Sequence, residues 1–125
     1  MLLKQIESIV FFVSDIEAAA AWYAELLQAE VQYENSLYAF IKAPGCLLGF
    51  HPLDSKCPGG VGGTTVYWEV ADLDVAIKAL ERRGAVLYRG PISTSLGARA
   101  AMLLDPFGGS IGLNQSTHKS LQAIG

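Results

Sequence analysis

Imidazole, thiol and charge are all scarce in this chain. Its 125 residues hold two histidines, two cysteines and two methionines, and only 17% of them are charged. No cluster of Lys and Arg stands among them, and the net charge is -3. A nucleic acid needs a basic face to neutralise its phosphates, so that class of partner is excluded. The early apolar run from Ile9 to Val13 is too short for a signal-sequence core or a membrane span. The expectation is a soluble, cytoplasmic protein with no membrane partner. Cys46 and Cys57 are read as reduced, structurally incidental thiols, since nothing else points to an oxidising compartment. With His51 they match no standard zinc spacing, and His118 lies near the end of the chain.

What the chain does have is apolar surface and an internal echo. At 51% hydrophobic content it has enough to bury for one core, and disorder is excluded. Ser8-Ile-Val-Phe-Phe-Val-Ser-Asp15-Ile-Glu-Ala-Ala19 aligns without a gap against Thr65-Val-Tyr-Trp-Glu-Val-Ala-Asp72-Leu-Asp-Val-Ala76. Each stretch is a β-rich run, then a capping residue, then an amphipathic helix. Two copies of one unit point to a pseudo-symmetric domain and away from a solenoid, which needs three or more.

The pattern along the chain is α+β, with residues 5–53 and 64–115 as two βαβββ modules of one domain. Strands are expected at 5–13, 31–34, 37–42, 46–50, 64–70, 86–90, 98–104 and 110–114. The first helix is capped by Asp15, or by Ser14 in a capping box with Glu17, and buries Ile16, Ala19, Ala20, Tyr23 and Leu27. The second is capped by Asp72, buries Leu73, Ala76, Ile77 and Leu80, and stops at Gly84 after two arginines. Residues 54–63, rich in glycine, form the linker, and 116–125 a tail. The linker glycines suggest a phosphate cradle, which fails because a strand and not a helix N-terminus follows them.

Val13-Ser-Asp-Ile-Glu-Ala-Ala-Ala-Ala-Trp-Tyr-Ala-Glu-Leu-Leu27 and Leu103-Leu-Asp-Pro-Phe-Gly-Gly-Ser-Ile-Gly-Leu113, set in two βαβββ units, resemble the vicinal oxygen chelate superfamily. That group includes glyoxalase I, extradiol dioxygenases, fosfomycin-resistance enzymes and bleomycin-resistance proteins. The resemblance implies a cup-shaped mixed sheet that holds metal, substrate or drug, and a homodimer, with modules exchanged between chains in some members. It also implies where metal ligands belong: on the first and last strand of each module. Here those positions are Ser8, Thr65, Gly112 and either Leu48 or Gly49. Two hydroxyls, a glycine and an aliphatic or second glycine do not make the three or four donors a divalent first-row ion requires. The expected cup has no metal and no cofactor.

Strand alternation places Val10, Phe12, Tyr67 and Glu69 toward the cup, with Ser110 and Asn114 beside Gly112, and turns Ile9, Phe11, Val13, Val66, Trp68 and Val70 toward the helices. Tyr38, Phe40, Phe50, Tyr88 and Arg99 join the candidate ligand-binding set with parity undetermined. Glu69 has three readings: holding a cationic ligand, acting as a general base, or pairing with Arg99. His51 is either a proton shuttle or an ordinary histidine at a strand end. The leading expectation is a protein that sequesters a small cationic or aromatic molecule, as bleomycin-resistance proteins do. The alternatives are a lyase- or dioxygenase-type enzyme of the same superfamily, or a module whose cup is filled by its own side chains.

Overall fold

The repeated unit forms twice. The computed structural model of the chain describes residues 2–117, and it divides into two compact units, Met1–Gly60 and Val61–Gly125. The division falls inside the glycine-rich stretch 54–63.

In the first unit the elements run β1 (Ser8–Val13), α1 (Ile16–Leu27), β2 (Gln32–Asn35), β3 (Tyr38–Ala43) and β4 (Cys46–Pro52). Their spatial order is β1-β4-β3-β2, with β1 parallel to β4 and the other pairs antiparallel. Asp15 is the N-cap: its Oδ1 accepts the Ala18 backbone N–H at 3.0 Å, satisfying a donor the helix cannot. Ala19, Ala20, Tyr23 and Ala24 are buried on α1, which packs on β3 and β4. Tyr23 stacks on Phe11 at 5.4 Å, and Phe11 on Phe50 at 5.6 Å, so an aromatic layer joins helix to sheet. The helix ends at Gln28, held left-handed at φ 52°, a conformation that a glycine adopts without strain.

The second unit repeats the plan with β5 (Tyr67–Glu69), α2 (Leu73–Arg82), β6 (Val86–Ser93), β7 (Arg99–Leu104) and β8 (Ser110–Gln115), in the order β5-β8-β7-β6. Asp72 Oδ1 accepts the Val75 N–H at 3.1 Å, and Gln115 Oε1 accepts the Leu73 N–H at 2.7 Å, which ties β8 to the start of the helix. Leu73, Ile77 and Leu80 are buried with Ala101, Leu103, Ile111 and Leu113 of the sheet. Asp105 shapes the turn between β7 and β8, its Oδ1 accepting from the Phe107 and Gly109 N–H groups at 2.8 and 2.9 Å.

Several strands differ in length from expectation: β1 begins at Ser8 and not at residue 5, and β4 runs on to Pro52. β5 is only three residues where seven were expected, and β6 runs to Ser93, with register shifts on both sides of Arg89. Among the described residues no helix is long and apolar enough to cross a membrane. The expected tail lies outside the described residues beyond Thr117, and His118 with it.

Candidate functional site

Each sheet has one face under its helix and one face free of it, and strand register decides which residues stand on the free face. In the first unit Val10 pairs with Gly49, and Gly49 with Phe40. One step along, Phe12 pairs with His51. Their rings follow one another across the strands: Phe12 to His51 at 5.3 Å, His51 to Tyr38 at 6.5 Å, and Tyr38 to Phe40 at 6.4 Å. The His51 Nδ1 donates to the Pro52 carbonyl at 2.8 Å, since that oxygen only accepts, so the ring is oriented by the backbone and its Nε2 is left without a partner among the described residues. Beside this band lies an open groove of about 370 Å³ lined by Glu34, Asn35, Leu37, Tyr38 and His51.

In the second unit one row crosses all four strands: Tyr67 pairs with Gly112, Gly112 with Met102, and Met102 with Arg89. The next row contains Glu69, Asn114, Ala100 and Ile92. A groove of about 490 Å³ follows these rows, lined by Tyr67, Tyr88, Arg89, Gly90, Ile92, Ala100, Ala101 and Met102. Tyr67 and Tyr88 are 51% and 54% exposed, large for aromatic rings on a sheet.

A glycine sits at the matching place of both units, and a tyrosine ring covers each. A Cβ at Gly112 would stand 2.6 Å from the Tyr67 ring carbons Cγ and Cδ2, and one at Gly49 would collide with the Tyr38 hydroxyl. Only the missing side chains leave room for the hydroxyl end of Tyr38 at Gly49 and for the ring of Tyr67 at Gly112. The choice between Leu48 and Gly49 therefore resolves to Gly49, because Leu48 is fully buried on the helix side.

Phe12, Tyr38, Phe40, Tyr67, Glu69, Tyr88 and Asn114 fall on the free faces or their edges. Two candidates do not. Phe50 is 0% exposed and packs against Phe11 and Tyr23 under α1, so it is a core residue and not a ligand contact. Arg99 lies on the helix side, where its two terminal nitrogens donate to the Asp74 carboxylate of α2 at 3.0 and 3.2 Å. It does not pair with Glu69. This bond, the larger cause, with each group's opposite charge beside the other, holds the Asp74 carboxyl below its usual range and the guanidinium above its own. Glu69 is exposed on β5, next to Asn114, whose Nδ2 donates to Ser116 at 2.8 Å. Arg89 and Met102 were not anticipated from sequence. The irregular register of β6 breaks the simple alternation that would have exposed them.

The positions at which the resemblance implies metal ligands are Ser8, Gly49, Thr65 and Gly112. The Thr65 hydroxyl already shares a 2.8 Å hydrogen bond with Ser110, and the glycines bring no donor. Among the described residues no three His, Cys, Asp or Glu side chains gather where an ion would sit. This donor set does not fit a divalent metal.

The family model described as "Glyoxalase/Bleomycin resistance protein/Dioxygenase superfamily" matches residues 5–113. No curated protein matches by sequence. Among solved structures the chain is similar to a glyoxalase/bleomycin resistance protein/dioxygenase family enzyme from Burkholderia phytofirmans PsJN, at 17% identity over 91% of this chain and 100% of that one, with a TM-score of 0.77. It is similar to a superfamily member from Sphaerobacter thermophilus DSM 20745, at 24% identity over 93% and 100%, TM-score 0.71. A third likeness is to TnmS3, an antibiotic binding protein from Streptomyces sp. CB03234, at 25% identity over 94% and 99%, TM-score 0.73. The first two likenesses show the fold alone.

Proposed function

The chain belongs to the glyoxalase/bleomycin resistance protein/dioxygenase superfamily, and from that premise we propose that it binds a planar aromatic small molecule, of the kind an antibiotic-binding protein sequesters, against its free strand faces and without a metal. The observation that carries this reading is the pair of tyrosine rings laid over Gly49 and Gly112. At the two places where a metal-dependent relative projects a ligand from its last strand, this chain seats a tyrosine side chain. Such a ring stacks on another through dispersion and the ring quadrupole. The likeness to TnmS3, which is named for binding an antibiotic, supports the same class of ligand.

Glu69 carries less of the argument than its sequence position implied. A carboxylate standing in water loses little by remaining unpaired, and Glu69 does not line the groove of the second unit. Stacking is the selective force, and among the described residues no nucleophile oriented by a base stands on either free face. The protein acts in the cytoplasm, and as a homodimer, in keeping with the habit of its family.

Isothermal titration of planar aromatic compounds of each charge, before and after treatment with a chelator, tests the reading. The expected result is saturable binding that the chelator leaves unchanged and that Tyr38→Ala and Tyr67→Ala weaken. Absence of binding across the panel, or binding that the chelator abolishes, would sink it.

A further inference from the structure

Arg89 stands alone in an otherwise neutral groove. It is exposed on β6 and lines the groove of the second unit, and no hydrogen bond or ion pair engages it among the described residues. The other groove residues are Tyr67, Tyr88, Gly90, Ile92, Ala100, Ala101 and Met102, with no acid among them. The remaining arginine of this sheet, Arg99, is spent on Asp74 at the opposite face. Glu69 is on the far edge strand, three strand spacings or about 14 Å away. That exceeds the screening length of about 8–10 Å at ordinary salt, so it leaves the guanidinium uncompensated.

The row itself explains why Arg89 stays free. Its register partners toward β5 are Met102, Gly112 and Tyr67. Gly112 occupies the position from which a metal-binding relative extends a carboxylate, and such a carboxylate would face both Met102 and the cation beyond it. Here that acid is missing, and the row runs from an aromatic platform over a thioether to a bare positive charge. The register shifts on either side of Arg89, before it at Leu87 and after it at Ile92, set its strand apart from plain alternation and leave it on the groove.

We infer that the groove of the second unit takes a planar aromatic acid, its ring resting on Tyr67 and Met102 and its carboxylate or ionised phenol paired with the Arg89 guanidinium. This inference rests on the proposed function, and it fixes the ligand's charge, which stacking alone does not. A planar anion suits arginine in particular, because the flat guanidinium donates two parallel hydrogen bonds to it.

The test uses the full chain and three probes of nearly equal shape: naphthalene-2-carboxylate, naphthalene-2-carboxamide and the naphthylmethylammonium ion. Titrated at low salt, the carboxylate is expected to bind at least about tenfold more tightly than the amide, and the cation more weakly than either. Arg89→Gln removes the preference for the carboxylate and leaves the amide affinity where it was; Arg89→Lys keeps part of it. Raising the salt shrinks the preference in the native protein and has no such effect in Arg89→Gln. Equal affinity for carboxylate and amide, or equal loss of both in Arg89→Gln, overturns the inference while the aromatic reading stands. If none of the three probes binds, both fall together.

Discussion

A single methyl group is enough to separate structure from function at Gly112. Its backbone is not in the left-handed region, so Gly112→Ala meets no conformational strain, yet the new Cβ would stand 2.6 Å from two carbons of the Tyr67 ring. Cγ is the anchored carbon of that ring, so the whole Tyr67 side chain must swing aside. We expect Gly112→Ala to keep the circular dichroism spectrum, lower the thermal midpoint modestly, and weaken aromatic ligands by up to about tenfold. Equal affinity in the variant would show that the ring's seat is irrelevant. At Asp74 the prediction concerns pH. Its carboxyl is lowered by the Arg99 hydrogen bond and charge, so the folded state holds the charged form more firmly than the unfolded chain does. The stabilisation is therefore fully present above the ordinary carboxylate value near pH 4 and lost as pH falls through the lowered one. Asp74→Asn should reduce the urea midpoint slightly at pH 7, and the gap from native should close in strong acid. A gap that persists unchanged at low pH would mean the ion pair is not its source.

Two phenylalanines on neighbouring strands show what an element decides that a residue type does not. Phe50 of β4 lies opposite Ala39 and points under α1, whereas Phe40 of β3 lies opposite Gly49 and points to the free face. Phe50→Ala should cost about 3–5 kcal/mol, as emptying a filled core does, and unfold the first unit at low denaturant. Phe40→Ala should cost about 1 kcal/mol and act on aromatic binding instead. Denaturation and titration of both variants check this, and comparable stability losses would contradict the assignment. From sequence the two residues were alike. Alternation was legible in β1 and β5, where the internal echo anchored it: Tyr67 and Glu69 are exposed and Trp68 is not. It was not legible in β4 and β7, because the parity of a strand is set by register with its neighbours, and a one-residue slip exchanges its faces. Phe50 and Arg99 had their parity left open for that reason, and the register puts both on the helix side. The helices were easier, since Asp15 and Asp72 cap locally and the buried stripes repeat at helical spacing.

For the whole molecule the expectation is chemical. Protein purified without chelator should contain well below one equivalent of zinc, nickel, manganese or iron by elemental analysis, because Ser8, Thr65 and two glycines occupy the ligand positions of the fold. A full equivalent would demand donors other than these. Two properties were settled by covalent order alone: the doubling of the βαβββ unit and the two capped helices. Each depends on neighbours along the chain and needs no distant contact. Which aromatic rings are core and which are surface, the seating of Tyr38 and Tyr67 over glycines, and the lone cation at Arg89 emerged only with the sheets formed. Those features arise from hydrogen-bonded register between strands far apart in sequence, and no local pattern encodes it.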